Sequence, residues 1–353
     1  MADIKVKNIY YMLSYAFHTL HNTGFDNVAS ESFDNIHDLF SVILSRGVGA
    51  QVKRGLNRDY IRKEEHFAGL RGQIKVTESI KHQTLSQGKL VCAYDDFSPD
   101  FLYNRILKSV MLLLLRHGDV KTDNKKALHK VLLYFSEVTE ITPMEIRWDS
   151  QKFHRNNSSY RMLMGICRLV VKGLLLTTEK GTYKLATWLQ DEEMHRLYEK
   201  FVLAYYMIHH PGLSPKAAFI NWDINDGKKS AYLPIMKSDI SMYNGEKILI
   251  IDTKYYNQTM QINPLYDSRK YISSNLYQIY TYVKNADKGA TGNVAGVLLY
   301  AKTSEAITPD DDMIIGGNRI SLKTLDLNCD WNIITDQLES LCELLDGTII
   351  ANS

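Results

Sequence analysis

The dipeptide Asn244-Gly245, set between two β-prone runs, constrains this chain more than any other feature. A two-residue type I′ turn needs φ > 0 at both central positions, and Asn-Gly is the pair that tolerates this best. The sequence therefore predicts a tight hairpin in which Tyr243 faces Glu246, Asp239 faces Ile250 and Lys237 faces Asp252. Side chains on one strand share a face every second residue. Asp239, Asp252 and Lys254 then project from one face, with the two carboxylates as diagonal neighbours across the strands. The arrangement depends on the turn, since a one-residue slip would undo it.

Two carboxylates brought to ~5 Å repel by about 3 kcal/mol at an effective dielectric of 20. A bound Mg²⁺ offsets this naturally: it takes one or two carboxylates, keeps several waters and accepts phosphate oxygens. A lysine two residues past the second acid can orient or deprotonate an attacking water, or stabilise a phosphorane-like transition state. Asp…Asp-x-Lys thus suits metal-assisted phosphodiester hydrolysis. Asp-x-Lys alone says little, because it recurs at Asp3/Lys5, Asp119/Lys121, Asp123/Lys125 and Asp226/Lys228. The instance at Asp252 differs in ending the apolar run Ile248 to Ile251 and in having a partner Asp one hairpin away. The competing reading is a surface ion pair at a strand end.

The rest of the chain reads as α+β. Its 353 residues suit two domains. Helices are expected at Val6–Leu20, Ile36–Ser45 (ending near Gly47 and Gly49), Phe101–His117, Lys125–Phe135, Tyr160–Leu175, Asp191–His209, Ser274–Val283 and Trp331–Leu345. Extended segments are expected near 232–243, 246–256, 295–300 and 320–327. The polar run 155–159 predicts a boundary between a first domain, 1–155, and a second, 156–353. Residues 46–89 hold ten Lys/Arg against four Asp/Glu, with short β-like pieces between glycines. This excursion, about 46–90, is either a solvated surface or an element that meets an acidic partner or DNA phosphates.

Lys+Arg exceeds Asp+Glu by only 42 − 40 = 2, which excludes a global polycation that coats DNA. Four scattered cysteines without a CxxC pair read as buried thiols of a cytoplasmic protein, and no apolar run approaches the ~20 residues of a membrane span. Gln278 and Tyr282, at i and i+4, can point into one cleft or form an ordinary amphipathic face. Glu199 reads as a solvated helix charge without context, and His18, His21, His209 and His210 as isolated histidines. No Gly-x-x-x-x-Gly-Lys-Ser/Thr occurs, although Gly227-Lys228-Lys229-Ser230 resembles its tail. Any nucleotide hydrolysis must come from another subunit.

Residues 6–17 (Val-Lys-Asn-Ile-Tyr-Tyr-Met-Leu-Ser-Tyr-Ala-Phe) resemble the N-terminal signature of the McrC family, the nuclease subunits of McrBC modification-dependent restriction systems. Arg54-Gly55-Leu56 with Asp59-Tyr60, and Asn104-Arg105-Ile106-Leu107-Lys108-Ser109, are similar to its further N-terminal landmarks. Leu249 to Tyr256 and Asn275-Leu276-Tyr277-Gln278 resemble its catalytic half. The resemblance implies a stalk-bearing N-terminal domain of mixed helix and strand, followed by a PD-(D/E)xK restriction-endonuclease-like domain.

In that fold Asp239 is the first acid, and Asp252-Thr253-Lys254 carries the second acid and the lysine. Pro234 lies five residues before Asp239, so the literal Pro-Asp pair is absent. The implied metal set is Asp239, Asp252, Thr253 and Glu199, for Mg²⁺. Gln278 and Tyr282 are similar to the Gln-x-x-x-Tyr motif of the RecB-like branch. The implied partners are an McrB-like AAA+ GTPase hexamer, which uses GTP where this chain does not, and double-stranded DNA with modified cytosine. Self-association bridging two rings is also implied, with 46–89 part of a stalk. Two other readings are a non-catalytic bridging activator of an AAA+ ring, and a stand-alone RecB-like nuclease.

Overall fold

A computed structural model describes residues 4–17, 33, 35–153, 160–173, 175–177, 183–185, 191–224, 230–263 and 268–346. The chain divides into two compact units, Met1–His21 with Leu189–Ser353, and Asn22–Trp188. The expected boundary between 155 and 156 is therefore corrected, and the physical reason lies in two helices. Helix α1 (Val6–Ala16) packs with the C-terminal half of the chain: Asn8 Nδ2 donates to Leu327 O (2.8 Å) and Cys329 O (2.9 Å), and Tyr11 stacks on Trp331 at 4.4 Å. Helix α6 (Tyr160–Arg168) instead belongs to the middle unit, where the buried Tyr160 hydroxyl donates to Asn104 Oδ1 at 2.7 Å.

The middle unit begins with α2 (Ile36–Lys53), whose N-cap Asn35 side chain accepts from Asp38 N at 3.0 Å. This helix does not stop near Gly47 and Gly49. Burial of Val48 and Gln51 outweighs the ~1 kcal/mol that each internal glycine costs. The glycine that ends the helix is Gly55, at φ 86° just past the C-cap Arg54. An antiparallel sheet follows, ordered β1 (Asp59–Phe67), β3 (Leu90–Ser98), β2 (Gln73–Ile74), with α3 (Val76–Lys81) between β2 and β3. β1 is largely exposed, as the excursion predicts, but 46–53 belongs to α2 and the pairing strand β3 extends beyond residue 90. That strand brings acids against the basic run, so Lys63 pairs with Asp96 at 2.7 Å.

Helices α4 (Leu102–His117) and α5 (Thr122–Leu132) complete the helical core with α2 and α6. Asn104 is buried and donates to Asn57 O and Pro99 O, which locks the exits of the sheet onto α4. The landmark Asn104-Arg105 is thus structural in this unit, with Arg105 forked onto Asp100 at 2.9 and 2.7 Å. After α6 the chain makes one π turn (Leu169–Gly173) and pairs β4 (Leu175–Thr177) with β5 (Tyr183–Leu185).

The other unit resumes with α7 (Asp191–His209) and the short pair β6 (Phe219–Ile220) and β7 (Met236–Lys237). Its centre is a five-stranded mixed sheet built from β8 (Ile240–Asn244), β9 (Lys247–Lys254), β12 (Val294–Ala301), β13 (Asp311–Ile315) and β14 (Asn318–Leu325), ordered β13-β14-β12-β9-β8. β12 runs parallel to β9 and β14, and the edge strands β8 and β13 are antiparallel to their neighbours. The hairpin β10 (Met260–Asn263) and β11 (Ser268–Tyr271) leads into α8 (Ser273–Ala286), and α9 (Trp331–Asp346) follows the sheet. β9 is buried along its last six residues without alternation, the mark of a strand covered on both faces.

Helix α8 sits so close to β12 that a Cβ on Gly296 would lie 2.7 Å from Ile279 Cγ1 and from Val283 Cγ2. Gly296→Ala is expected to destabilise this unit by about 1–3 kcal/mol through overpacking. Thermal unfolding followed by circular dichroism reads the effect; an unchanged midpoint would mean that α8 shifts freely.

Candidate active site

The hairpin forms, but its loop is Gly245-Glu246, with Asn244 paired to Lys247. Gly245 takes φ 60° and Glu246 does not, which fits a type II′ turn with glycine first, not the type I′ turn expected on Asn244-Gly245. Moving the loop by one residue moves each cross-strand partner by two, so the faces are kept. Ile240 pairs with Ile251 as the last rung, and one further step sets Asp239 opposite Asp252 and no longer diagonal to it. Lys237 does not face Asp252. It pairs with Phe219 in the separate β6–β7 ribbon, because the extended run breaks at Ser238 and Asp239.

Asp239 is half-buried, and its Oδ2 accepts from Thr253 N and Thr253 Oγ1, both at 2.7 Å. Thr253 is fully buried and its hydroxyl is committed to Asp239. Asp252 is 2% exposed, and its Oδ2 lies 2.5 Å from Lys254 Nζ as an ion pair. That same oxygen has no partner in hydrogen-bond geometry. Lys254 Nζ donates to Gln278 Oε1 at 2.9 Å, and Gln278 Nε2 donates to the Tyr282 hydroxyl at 3.0 Å. Gln278 and Tyr282, on one face of α8, thus form a relay that fixes the lysine.

Burial pushes the Asp252 carboxyl up to about 6; Lys254 opposes the rise and Asp239 adds to it. A displacement from 3.8 to about 6 corresponds to about 3 kcal/mol by which the fold disfavours this charge. A carboxyl raised on folding costs stability as pH climbs through that interval. Burial works against the Lys254 ammonium too, yet Asp252 outweighs it and holds the lysine above its usual range. Lys254 is therefore held as a cation at neutral pH and acts here as a hydrogen-bond donor.

Glu199, on α7, is half-buried and raised, first by burial and then by Asp239, with Lys237 and Lys200 opposing. One helical turn earlier stands His195, which the sequence reading missed. It is half-buried and lowered by burial, with Asp239 opposing and Lys254 adding. The i, i+4 spacing of His195 and Glu199 was the available signal. His209 and His210 lie elsewhere, bonded to Tyr15 and Glu339, and His18 and His21 fall outside the described residues.

These residues fit a hard divalent cation. A buried carboxylate ion-paired to Lys254 but outside hydrogen-bond geometry, and a second acid beside it, in a charge-costly setting, are what Mg²⁺ accepts. Among the described residues Glu199 does not join Asp239 and Asp252 in a cluster of donor atoms all within 4.8 Å of one another. Two carboxylates carry the fit.

Residues 2–301 match the family model described as McrBC 5-methylcytosine restriction system component. The type IV methyl-directed restriction enzyme EcoKMcrBC of Escherichia coli (strain K12) is 29% identical over 341 residues, covering 95% of this chain and 96% of the relative. In fold, the chain is similar to a chain of the refined half-complex from a tetradecameric assembly of Thermococcus gammatolerans McrB AAA+ hexamers with bound McrC. The TM-score is 0.51 at 17% identity, over 96% of this chain and 76% of that one. Among the described residues no helix is long and apolar enough to cross a membrane. With an α+β fold of that kind, and a family match over more than four-fifths of its length, this chain belongs to the McrBC 5-methylcytosine restriction system component family.

Proposed function

We propose that this chain is the Mg²⁺-dependent DNA endonuclease subunit of a modification-dependent restriction complex, a PD-(D/E)xK-type nuclease that acts in the cytoplasm with an McrB-like AAA+ GTPase. The observation that carries the reading is the buried Asp252–Lys254 pair beside Asp239, with the lysine fixed by Gln278 and Tyr282.

Asp239 and Asp252 would hold Mg²⁺, which neutralises their charge and polarises a scissile phosphate. Thr253 acts on Asp239, aiming its carboxylate with two hydrogen bonds rather than serving as a ligand. Lys254, held as an ammonium, donates toward the negative charge that develops on the phosphoryl oxygens. Gln278 and Tyr282 keep its Nζ from swinging away. Glu199 and His195 face Asp239 from α7 as outer groups, tuning the charge of the site without serving as ligands.

The family description supports DNA containing 5-methylcytosine as substrate, and the related assembly supports a hexameric AAA+ partner. GTP is then used by that partner. In such an assembly this subunit would also associate with itself to bridge two rings. The intact Asp/Asp/Lys set, close packed and charge-strained, favours an active nuclease over a bridge with an idle fold. The test is reconstitution: with the GTPase, GTP and Mg²⁺, the complex should cut methylated duplex DNA and leave unmethylated duplex intact. An active GTPase without cleavage under any metal would leave only a bridging role.

The partner contact is assigned to the exposed run from the C-cap of α2 through β1. Arg54, Arg58 and Arg62 are all exposed there. Reversing all three to glutamate should lower stimulation of the partner's GTPase about tenfold, more at low salt than high, without unfolding the nuclease unit. Unchanged stimulation at physiological salt would show this basic run to be merely solvated.

A further inference from the structure

Among the described residues, one group of three metal-ligating side chains lies outside the proposed catalytic site. His210, Glu339 and Cys342 each offer a donor atom, and these atoms all lie within 4.8 Å of one another. His210 is the residue just past the end of α7. Glu339 and Cys342 are i and i+3 on α9, so they share one face of it. His210 Nε2 lies 2.8 Å from Glu339 Oε2, while the Tyr205 hydroxyl donates to Glu339 Oε1 at 2.5 Å.

We propose that His210, Glu339 and Cys342 form a binding site for a zinc-class divalent cation, joining the end of α7 to α9. The donor chemistry decides the class. One imidazole nitrogen, one carboxylate oxygen and one thiolate sulfur suit Zn²⁺ and its borderline neighbours, whereas Mg²⁺ wants oxygen alone. Tetrahedral zinc with bonds of about 2.0–2.3 Å sets its donors roughly 3.3–3.7 Å apart. The widest donor separation would close by at most about 1.5 Å and the 2.8 Å His210–Glu339 pair would open by about 0.5 Å, small shifts for a Glu339 side chain that is 45% exposed.

An outer hydrogen bond is already in place. Tyr205 holds one Glu339 oxygen and so turns the other toward His210, the role that outer partners play around metals. His209 beside it is committed to the Tyr15 hydroxyl at 2.8 Å, which leaves the fourth position to water. Binding would release the Cys342 thiol proton to solvent and take His210 as neutral imidazole. A cation here would brace the far end of the helix that carries His195 and Glu199.

The experiment uses the purified full-length chain in excess Mg²⁺, which saturates oxygen-only sites, with Co²⁺ added as a spectroscopic stand-in for zinc. One thiolate-to-cobalt charge-transfer band per chain should appear and should be displaced by equimolar Zn²⁺. Cys342→Ser should abolish the band, and His210→Gln should weaken cobalt binding at least about tenfold while keeping the same far-ultraviolet circular dichroism. His210→Gln decides alone if the serine variant does not fold. No band at saturating cobalt, a band that survives Cys342→Ser, or wild-type affinity in His210→Gln would overturn the proposal.

Discussion

Asp252→Asn is expected to abolish DNA cleavage by the reconstituted complex, slowing single-turnover cutting at least about 10³-fold, or about 4 kcal/mol of transition-state stabilisation. Asparagine keeps the shape but cannot carry the charge that a cation neutralises. The change relieves the burial cost of the Asp252 charge but leaves the Lys254 ammonium without its ion pair, so thermal unfolding is followed beside cleavage. Asp239→Asn should act in the same direction, with an added loss of order at Thr253, whose amide and hydroxyl both point at that carboxylate. Stimulation of the partner's GTPase should survive both substitutions. Cleavage at more than a tenth of the wild-type rate in either variant would remove that acid from the mechanism.

Lys254→Met is expected to be nearly as severe, about 10²–10³-fold in cleavage rate. Methionine fills most of the lysine's volume in a site where the residue is only 7% exposed, so packing is kept while the charge is lost. The partnerless Asp252 can then protonate, since burial and Asp239 already push its carboxyl upward. Gln278→Ala should cost less, about tenfold, because it removes a restraint on the ammonium and not the ammonium itself. Single-turnover cutting at pH 7.5 separates the two. Equal losses would assign Gln278 a direct contact with substrate, and a fully active Lys254→Met would end the role given to the lysine.

Much of this site was legible because strand geometry is periodic. The Asn-Gly pair was read one residue off, and the site survived, since the error shifts cross-strand partners by two and keeps every side chain on its face. Asp191–His209 and the buried run before Asp252 were legible from apolar spacing alone. The far end of α2 was not: two glycines look like a helix stop until the burial of Val48 and Gln51 by tertiary packing is known. The domain division failed for a similar reason. Nothing local in α1 announces that Asn8 and Tyr11 will be met by residues more than three hundred positions away. His195 was missed because its significance is a matter of proximity to Asp239 and Lys254, which only the fold creates.

Whether Asp239 and Asp252 share one hard divalent cation can be tested on the isolated chain. Mn²⁺, an oxygen-seeking octahedral ion, is counted by loss of the free-ion electron paramagnetic resonance signal. The measurement compares wild type with Asp252→Asn at pH 7.5 and pH 5. With Asp252 titrating at about 6, wild-type affinity should fall about tenfold between the two, because the proton and the cation compete for one carboxylate. Asp252→Asn should bind at least tenfold more weakly at pH 7.5 and lose most of the pH dependence. Equal affinity in the two proteins, with the same pH profile, would contradict the shared-cation site.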